Sequence, residues 1–172
     1  MKYDLNIDGF MSESELIQIA AWTKNVPDNG VVVEFGSLYG RSSVCWAINC
    51  HPSCKIYCID RFMINGQDTF EVFLQNTSIY KNVIPLRGES PYGINYNGPL
   101  IDVFFIDAAH TNPGLMNNLL FYKKRMKDTG IIYGHDYCDF YPDVKKVVSM
   151  LSSQWNGKLT LYEGTTLWEL KF

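Results

Sequence analysis

Val31-Val-Val-Glu-Phe-Gly-Ser-Leu-Tyr-Gly40 is an apolar, β-branched run that opens into a loop with a glycine at each end. Val31 to Phe35 reads as a short buried strand, since such runs suit a sheet covered on both faces. Gly36 lets the chain turn tightly with no Cβ in the way. Gly40 lets the backbone approach a ligand where the next helix begins, about Gly40 to Asn49, and the free N–H groups there suit an anionic group. A dinucleotide loop would need Gly-x-Gly-x-x-Gly to approach a pyrophosphate. The frame here is Glu-x-Gly-x-x-x-Gly, which suits a ligand with a carboxylate and no phosphate and argues against an NAD-linked oxidoreductase. Taken alone, the turn serves a structural role equally well.

Outward from this loop, strands and helices alternate. The capping box Ser12-Glu13-Ser14-Glu15 opens a helix with an apolar stripe at Leu16, Ile17, Ala20 and Ala21, and Pro27-Asp28-Asn29-Gly30 breaks it. Lys55 to Asp60, Val83 to Leu86, Ile101 to Ile106 and Ile131 to Tyr133 read as further strands. Asp68 to Thr77 reads as a helix. Leu115, Leu119, Tyr122 and Met126 mark another, stopped by Gly130, and Val144, Val147, Val148, Leu151 and Trp155 mark the last. Glu163-Gly164 joins two alternating runs into a closing hairpin. The expected fold is one α/β domain over residues 1–172. Its open, Rossmann-like sheet is mostly parallel, with helices on both faces and one antiparallel C-terminal edge strand. Ligands of such sheets bind beyond the carboxyl ends of the strands.

Composition narrows the function. At 172 residues the chain can bury a full core. A net charge of −3 gives no basic surface for nucleic acid or anionic membrane. No apolar run approaches the roughly 20 residues of a membrane span, and the first residues lack a signal-peptide core. Five cysteines, an odd number, read as reduced thiols of a cytoplasmic protein. Cys50, Cys54 and Cys58 with His51 lack the usual zinc-ligand spacing and read as small core residues.

The polar residues at the strand ends carry the chemistry. Asp60 ends the second strand about twenty residues after the loop, where an acid accepts hydrogen bonds from a ribose diol. That pairing favours a binding loop over a structural one. Phe62 is placed to lie against an adenine face, and Glu89 and Ser90 end the third strand at the adenine edge. Asp107, His135 and Asp136 end the fourth and fifth strands. Tyr39, Tyr92, Tyr96, Tyr137, Phe140 and Tyr141 flank these loops, as acceptor-pocket walls or as ordinary packing.

Three segments together resemble class I S-adenosylmethionine-dependent methyltransferases, most closely the small-molecule O-methyltransferase branch called methyltransferase family 24. They are Val33 to Ser42, Ile101-Asp-Val-Phe-Phe-Ile-Asp-Ala-Ala-His110, and Gly130-Ile-Ile-Tyr-Gly-His-Asp-Tyr137 with the Tyr-Pro-Asp-Val144 after it. The resemblance implies that Glu34, Gly36 and Ser37 line the methionine and ribose part of the cofactor and that Asp60 binds the ribose. It places Phe62, Glu89 and Ser90 around adenine and Asp107 near the transferred methyl. The acceptor implied is a small molecule, and a homo-oligomer is left open. Proton removal falls either to Mg²⁺ on Asp107 and Asp136 or to a base, His110 or His135. Three acceptor-side positions depart from the family: Ala109 and Asn118 where it has acids, and Asn112 where it has an aromatic. These departures keep a second reading in view, a cofactor-binding domain without catalysis.

Overall fold

The computed structural model describes residues 1–94 and 96–172. Helix α1 (Glu13–Trp22) starts at the capping box, with the Glu15 carboxylate accepting from Ser12 N–H at 2.9 Å. Strand β1 (Val31–Phe35), α2 (Arg41–Asn49) and β2 (Lys55–Asp60) follow. Then come a small hairpin of β3 (Met63–Ile64) and β4 (Gln67–Asp68), α3 (Phe70–Thr77), β5 (Val83–Arg87) and β6 (Ile101–Ile106). The chain ends with α4 (Gly114–Lys123), β7 (Met126–Gly134), α5 (Pro142–Gln154), β8 (Lys158–Leu161) and β9 (Trp168–Lys171). The main sheet has the order β5-β2-β1-β6-β7-β9-β8, and only β9 runs against the rest. Strand order reverses between β1 and β6, which opens the crevice such sheets use for ligands.

Alternation across the sheet explains why its central strands are apolar throughout. Val32, Ile56 and Val103 face α1, α2 and α3, packing with Leu16, Trp46 and Phe73. Val31, Val33 and Phe104 face the other way, against Leu119 and Tyr122 of α4 and Val148 of α5. Burial on both faces leaves no position for a polar alternation. Asp102 is the exception in β6. Its carboxylate accepts from Val31 N–H at 2.8 Å and from the Lys127 ammonium at 2.8 Å, so it fixes the start of β1. Cys45, Cys50, Cys54 and Cys58 are buried in the first of these cores.

Two local expectations are corrected. Asp68 lies in β4, not in a helix, and its carboxylate accepts from Phe70 N–H at 2.9 Å to start α3. The hairpin before it turns at Asn65-Gly66, both at positive φ (50° and 79°), a turn signal visible in the sequence. Gly130 does not stop a helix. Helix α4 ends at Lys123, and β7 runs from Met126 through Gly130, with a register shift against β6 between Ile101 and Val103. The closing hairpin places antiparallel β9 second from the edge, with β8 outside it. Among the described residues, no helix is long and apolar enough to cross a membrane.

Trp168 of β9 is fully buried and donates its indole N–H to the His135 carbonyl at 3.0 Å. A Cβ on Gly134 would lie 2.2 Å from Trp168 Cζ2. Gly134→Ala should therefore destabilise the fold by about 2 kcal/mol or more through overpacking, measured by urea unfolding. Adding Trp168→Leu should leave the double variant less destabilised than the sum of the two single ones. Strict additivity would mean the two residues do not crowd each other.

Candidate active site

A cleft of about 690 Å³ opens over the carboxyl ends of β1, β2, β6 and β7, and Gly36, Ser37, Asp60, Glu89, Ser90 and Asp107 all reach it. The β1–α2 loop owes its shape mainly to its own protein neighbours. Gly36 has φ 102°, and a Cβ there would lie 2.2 Å from the Asp107 carbonyl, so the closest obstacle is the end of β6. Gly40, expected to admit a ligand, instead admits α3. It caps α2 at φ 93°, and a Cβ would lie 3.0 Å from Thr77 Cγ2 and 3.2 Å from the Phe73 ring. Glu34 lies behind the loop rather than on the cleft wall. It is fully buried, accepts from Ser37 Oγ at 2.7 Å and from Ser43 Oγ, and leaves Oε1 without a partner. Burial pushes its carboxyl up to about 7.

Asp60 faces the cleft. Its two oxygens accept from Leu38 N–H at 2.9 Å and Phe62 N–H at 2.7 Å, and each keeps a lone pair for a ligand hydroxyl. Phe62 is the clearest displacement from expectation. At φ 55° it turns into the core against Phe70 and Phe73, each 4.8 Å away between ring centres, and is fully buried. Met63 and Ile64 of the hairpin line the cleft in its place. Ser90 donates to Asn118 Oδ1 at 2.6 Å, so the amide at the position of a family acid holds a cleft-wall serine. Of the loop aromatics, Tyr39 and Tyr141 reach the cleft. Tyr96 is buried with its hydroxyl on the Pro99 carbonyl at 2.8 Å.

At the ends of β6 and β7, four ionisable side chains converge. His135 Nδ1 lies 3.2 Å from Asp107 Oδ1 and 3.1 Å from Asp136 Oδ1. His110 Nε2 lies 2.7 Å from Asp136 Oδ2, and its ring stacks on Tyr141 at 4.3 Å. These ring nitrogens are buried and make no well-aligned hydrogen bond, so the contacts are electrostatic and become ion pairs when the rings are protonated. Ligand atoms of Asp107, His110 and Asp136 all lie within 4.8 Å of one another. Behind His135, Nε2 meets Glu15 Oε1 at 2.9 Å.

Residues 33–137 match the family model for the methyltransferase domain of family 24. The chain belongs to that family. It is an S-adenosylmethionine-dependent methyltransferase. No curated protein matches it in sequence. Among solved structures it resembles a precorrin-6y C5,15-methyltransferase from Geobacter metallireducens, with 14% identity, 98% of this chain and 92% of that chain covered, and a TM-score of 0.72. It also resembles an rRNA methylase from Streptococcus thermophilus (13% identity, 95% and 98% covered, TM-score 0.68). A third is the O-methyltransferase NovP (14%, 91% and 78%, TM-score 0.71). These likenesses share the fold and differ in acceptor, so they leave the acceptor of this methyltransferase to its own residues.

In the methyltransferase, the two histidines of the cluster differ. Burial alone would lower the His135 pKa, but Asp107, Asp136 and Glu15 outweigh it and push it up to about 12. The ring sits between carboxylates at both ends, Glu15 at Nε2 and Asp107 and Asp136 at Nδ1. His110 is half-exposed, and the Asp136 carboxylate raises its pKa. Burial pushes the Asp107 carboxyl up against the pull of His135. Burial acts the same way on Asp136, but its two histidines prevail and hold it well below the usual carboxylate range. Glu15 is the functional residue the sequence hid. Its capping role was visible, but its grip on His135, which helps hold its carboxyl down at about 2 against the effect of burial, was not.

The sign of the pH dependence follows. The His135 pKa lies far above the ordinary 6.5, so unfolded chains lose this proton first as pH rises. The contribution is whole below about 6.5 and is lost progressively towards about 12. Between about pH 7 and pH 8, wild-type stability should fall by up to about 1.4 kcal/mol more than that of His135→Gln, as read from urea titrations of both. Equal slopes would mean the folded ring is neutral. Glu15→Gln, which strips one partner from the buried pair, should cost about 3 kcal/mol at neutral pH.

Proposed function

We propose that this methyltransferase moves the methyl group of S-adenosylmethionine to a hydroxyl of a small molecule. The observation that carries the proposal is the convergence of Asp107, His110 and Asp136 in the cleft that also holds Asp60, Glu89 and Ser90. Asp60 accepts from the ribose hydroxyls, Ser37 faces the methionine part, and Glu89 and Ser90 flank adenine. Glu34 acts through Ser37, and Met63 and Ile64 supply the apolar surface expected of Phe62. A chain of net charge −3 suits a small acceptor better than a polyanion.

Methyl transfer is an in-line displacement, so the protein mainly positions the acceptor and takes its proton. Asp107 and Asp136 are the residues that would hold Mg²⁺, with His110 beside them, and the two carboxylates fit a hard cation. Such an ion, when bound, lowers the pKa of the acceptor hydroxyl. The rival arrangement makes His110 the base. Its partial exposure supports that reading, and the charge on His135 argues against His135 in the role.

Calorimetric titration with S-adenosylmethionine and S-adenosylhomocysteine tests the cofactor. Asp60→Ala should cost about 1.5–3 kcal/mol of binding, and no detectable binding by the wild type would sink the assignment. With a hydroxylated acceptor, EDTA should abolish turnover and Mg²⁺ restore it if Asp107 and Asp136 hold the metal. Insensitivity to EDTA, with loss of rate in His110→Ala, would select the base. Full activity in both Asp107→Asn and His110→Ala would exclude both arrangements.

A further inference from the structure

The N-terminal segment lies outside the family match, which begins at residue 33, yet Asp8, Gly9, Phe10 and Met11 form part of the cleft wall. The segment has no helix or strand of its own, so its carbonyls need other partners. Arg41, the first residue of α2, supplies them. Its Nε donates to the Ile7 carbonyl at 2.5 Å, one terminal nitrogen to Met11 at 2.7 Å and the other to Leu5 at 3.4 Å. One planar guanidinium thus gathers three carbonyls of one strap, which a lysine cannot do. Gly9 fits beneath, where a Cβ would lie 3.3 Å from Arg41 Cβ. Buried Ile7 and Met11 anchor the strap's inner face, while Phe10 is 80% exposed. A cation at the amino end of a helix opposes the helix dipole, and no carboxylate pairs with Arg41 among the described residues. Its tie to backbone carbonyls is what the position provides. The strap runs directly into Ser12, the cap of α1, and so to Glu15 and His135.

We propose that Arg41 is a positioning residue for the cofactor. It holds Asp8 to Met11 as part of the cleft wall, which the Gly36–Leu38 loop also lines, so that both bound the ligand. The proposal rests on the cofactor reading above. It makes cofactor affinity depend on a cleft-lining side chain that gives three of its five N–H donors to the strap.

Chymotrypsin cleavage after Phe10 and calorimetric titration with S-adenosylhomocysteine, both on the full chain, test it. In the wild type, S-adenosylhomocysteine should slow the cleavage with the same concentration dependence as its binding. Arg41→Ala should speed cleavage and weaken binding, each by about tenfold, the scale of losing charge-assisted hydrogen bonds. Arg41→Lys should fall between. Gly9→Val crowds the strap against the Arg41 side chain while keeping the guanidinium in the protein, and should also speed cleavage and weaken binding. Cooperative thermal unfolding of each variant shows that the fold is retained. If Arg41→Ala and Gly9→Val free Phe10 but bind within a factor of about two of the wild type, the strap is no wall and the proposal fails. If only Arg41→Ala loses affinity, the guanidinium touches the ligand itself, which also overturns it. Unchanged cleavage in Arg41→Ala would show that Arg41 does not hold the strap. Absence of binding by the wild type would instead remove the cofactor reading, and the strap proposal with it.

Discussion

The imidazolium of His135 is the interaction on which the site depends. It touches three carboxylates from three elements: Glu15 of α1, Asp107 after β6 and Asp136 after β7. Without it, three acids would be held together at the edge of the core, and burying unpaired charge is among the costliest things a fold can do. With it, the strand ends are fixed to α1 and, through Thr166, to the closing hairpin. Thr166 Oγ1 contacts Glu15 at 3.3 Å and accepts from Asp136 N–H at 3.2 Å. The same charge that stabilises the fold therefore sets where the two cleft carboxylates point.

The backing of that charge is aromatic. Trp22, at the end of α1, stacks on Tyr133 of β7 at 4.0 Å, and its indole N–H donates to the Tyr162 hydroxyl at 2.9 Å. Asn25 donates to the Tyr133 hydroxyl at 2.7 Å. These contacts pin α1 to the sheet at both of its ends, through the aromatic stack at one and Glu15 at the other. Rigid supports of this kind are what a site needs to hold its groups within a fraction of an ångström.

The β1–α2 loop shows the same economy of parts. Gly36 and Gly40 make room for Asp107 and α3, Glu34 holds two serines from behind, and the Asp60 carboxylate braces Leu38 and Phe62. Each residue shapes the loop before any ligand arrives, so little ordering remains to oppose binding.

The sequence by itself determined the alternation of elements, the strands Lys55–Asp60 and Ile101–Ile106, the family and the loop that opens the cleft. Those features are written in local patterns: branched apolar runs, caps, glycines and acids at strand ends. Only the tertiary structure decided the rest, because it depends on residues far apart in the chain. The far end of the ring that contacts Asp107 and Asp136 is held by Glu15, more than ninety residues before either acid. Phe62 looked like a ligand platform until α3 supplied Phe70 and Phe73 to bury it. The polar start of β7, Lys127-Asp-Thr-Gly130, read as a helix stop because its neighbour, Asp102 of β6, is what makes Lys127 fit a strand. Arg41 looked like one more residue of a motif, and its role is set by carbonyls of a segment with no regular structure, which leave no periodic trace in sequence.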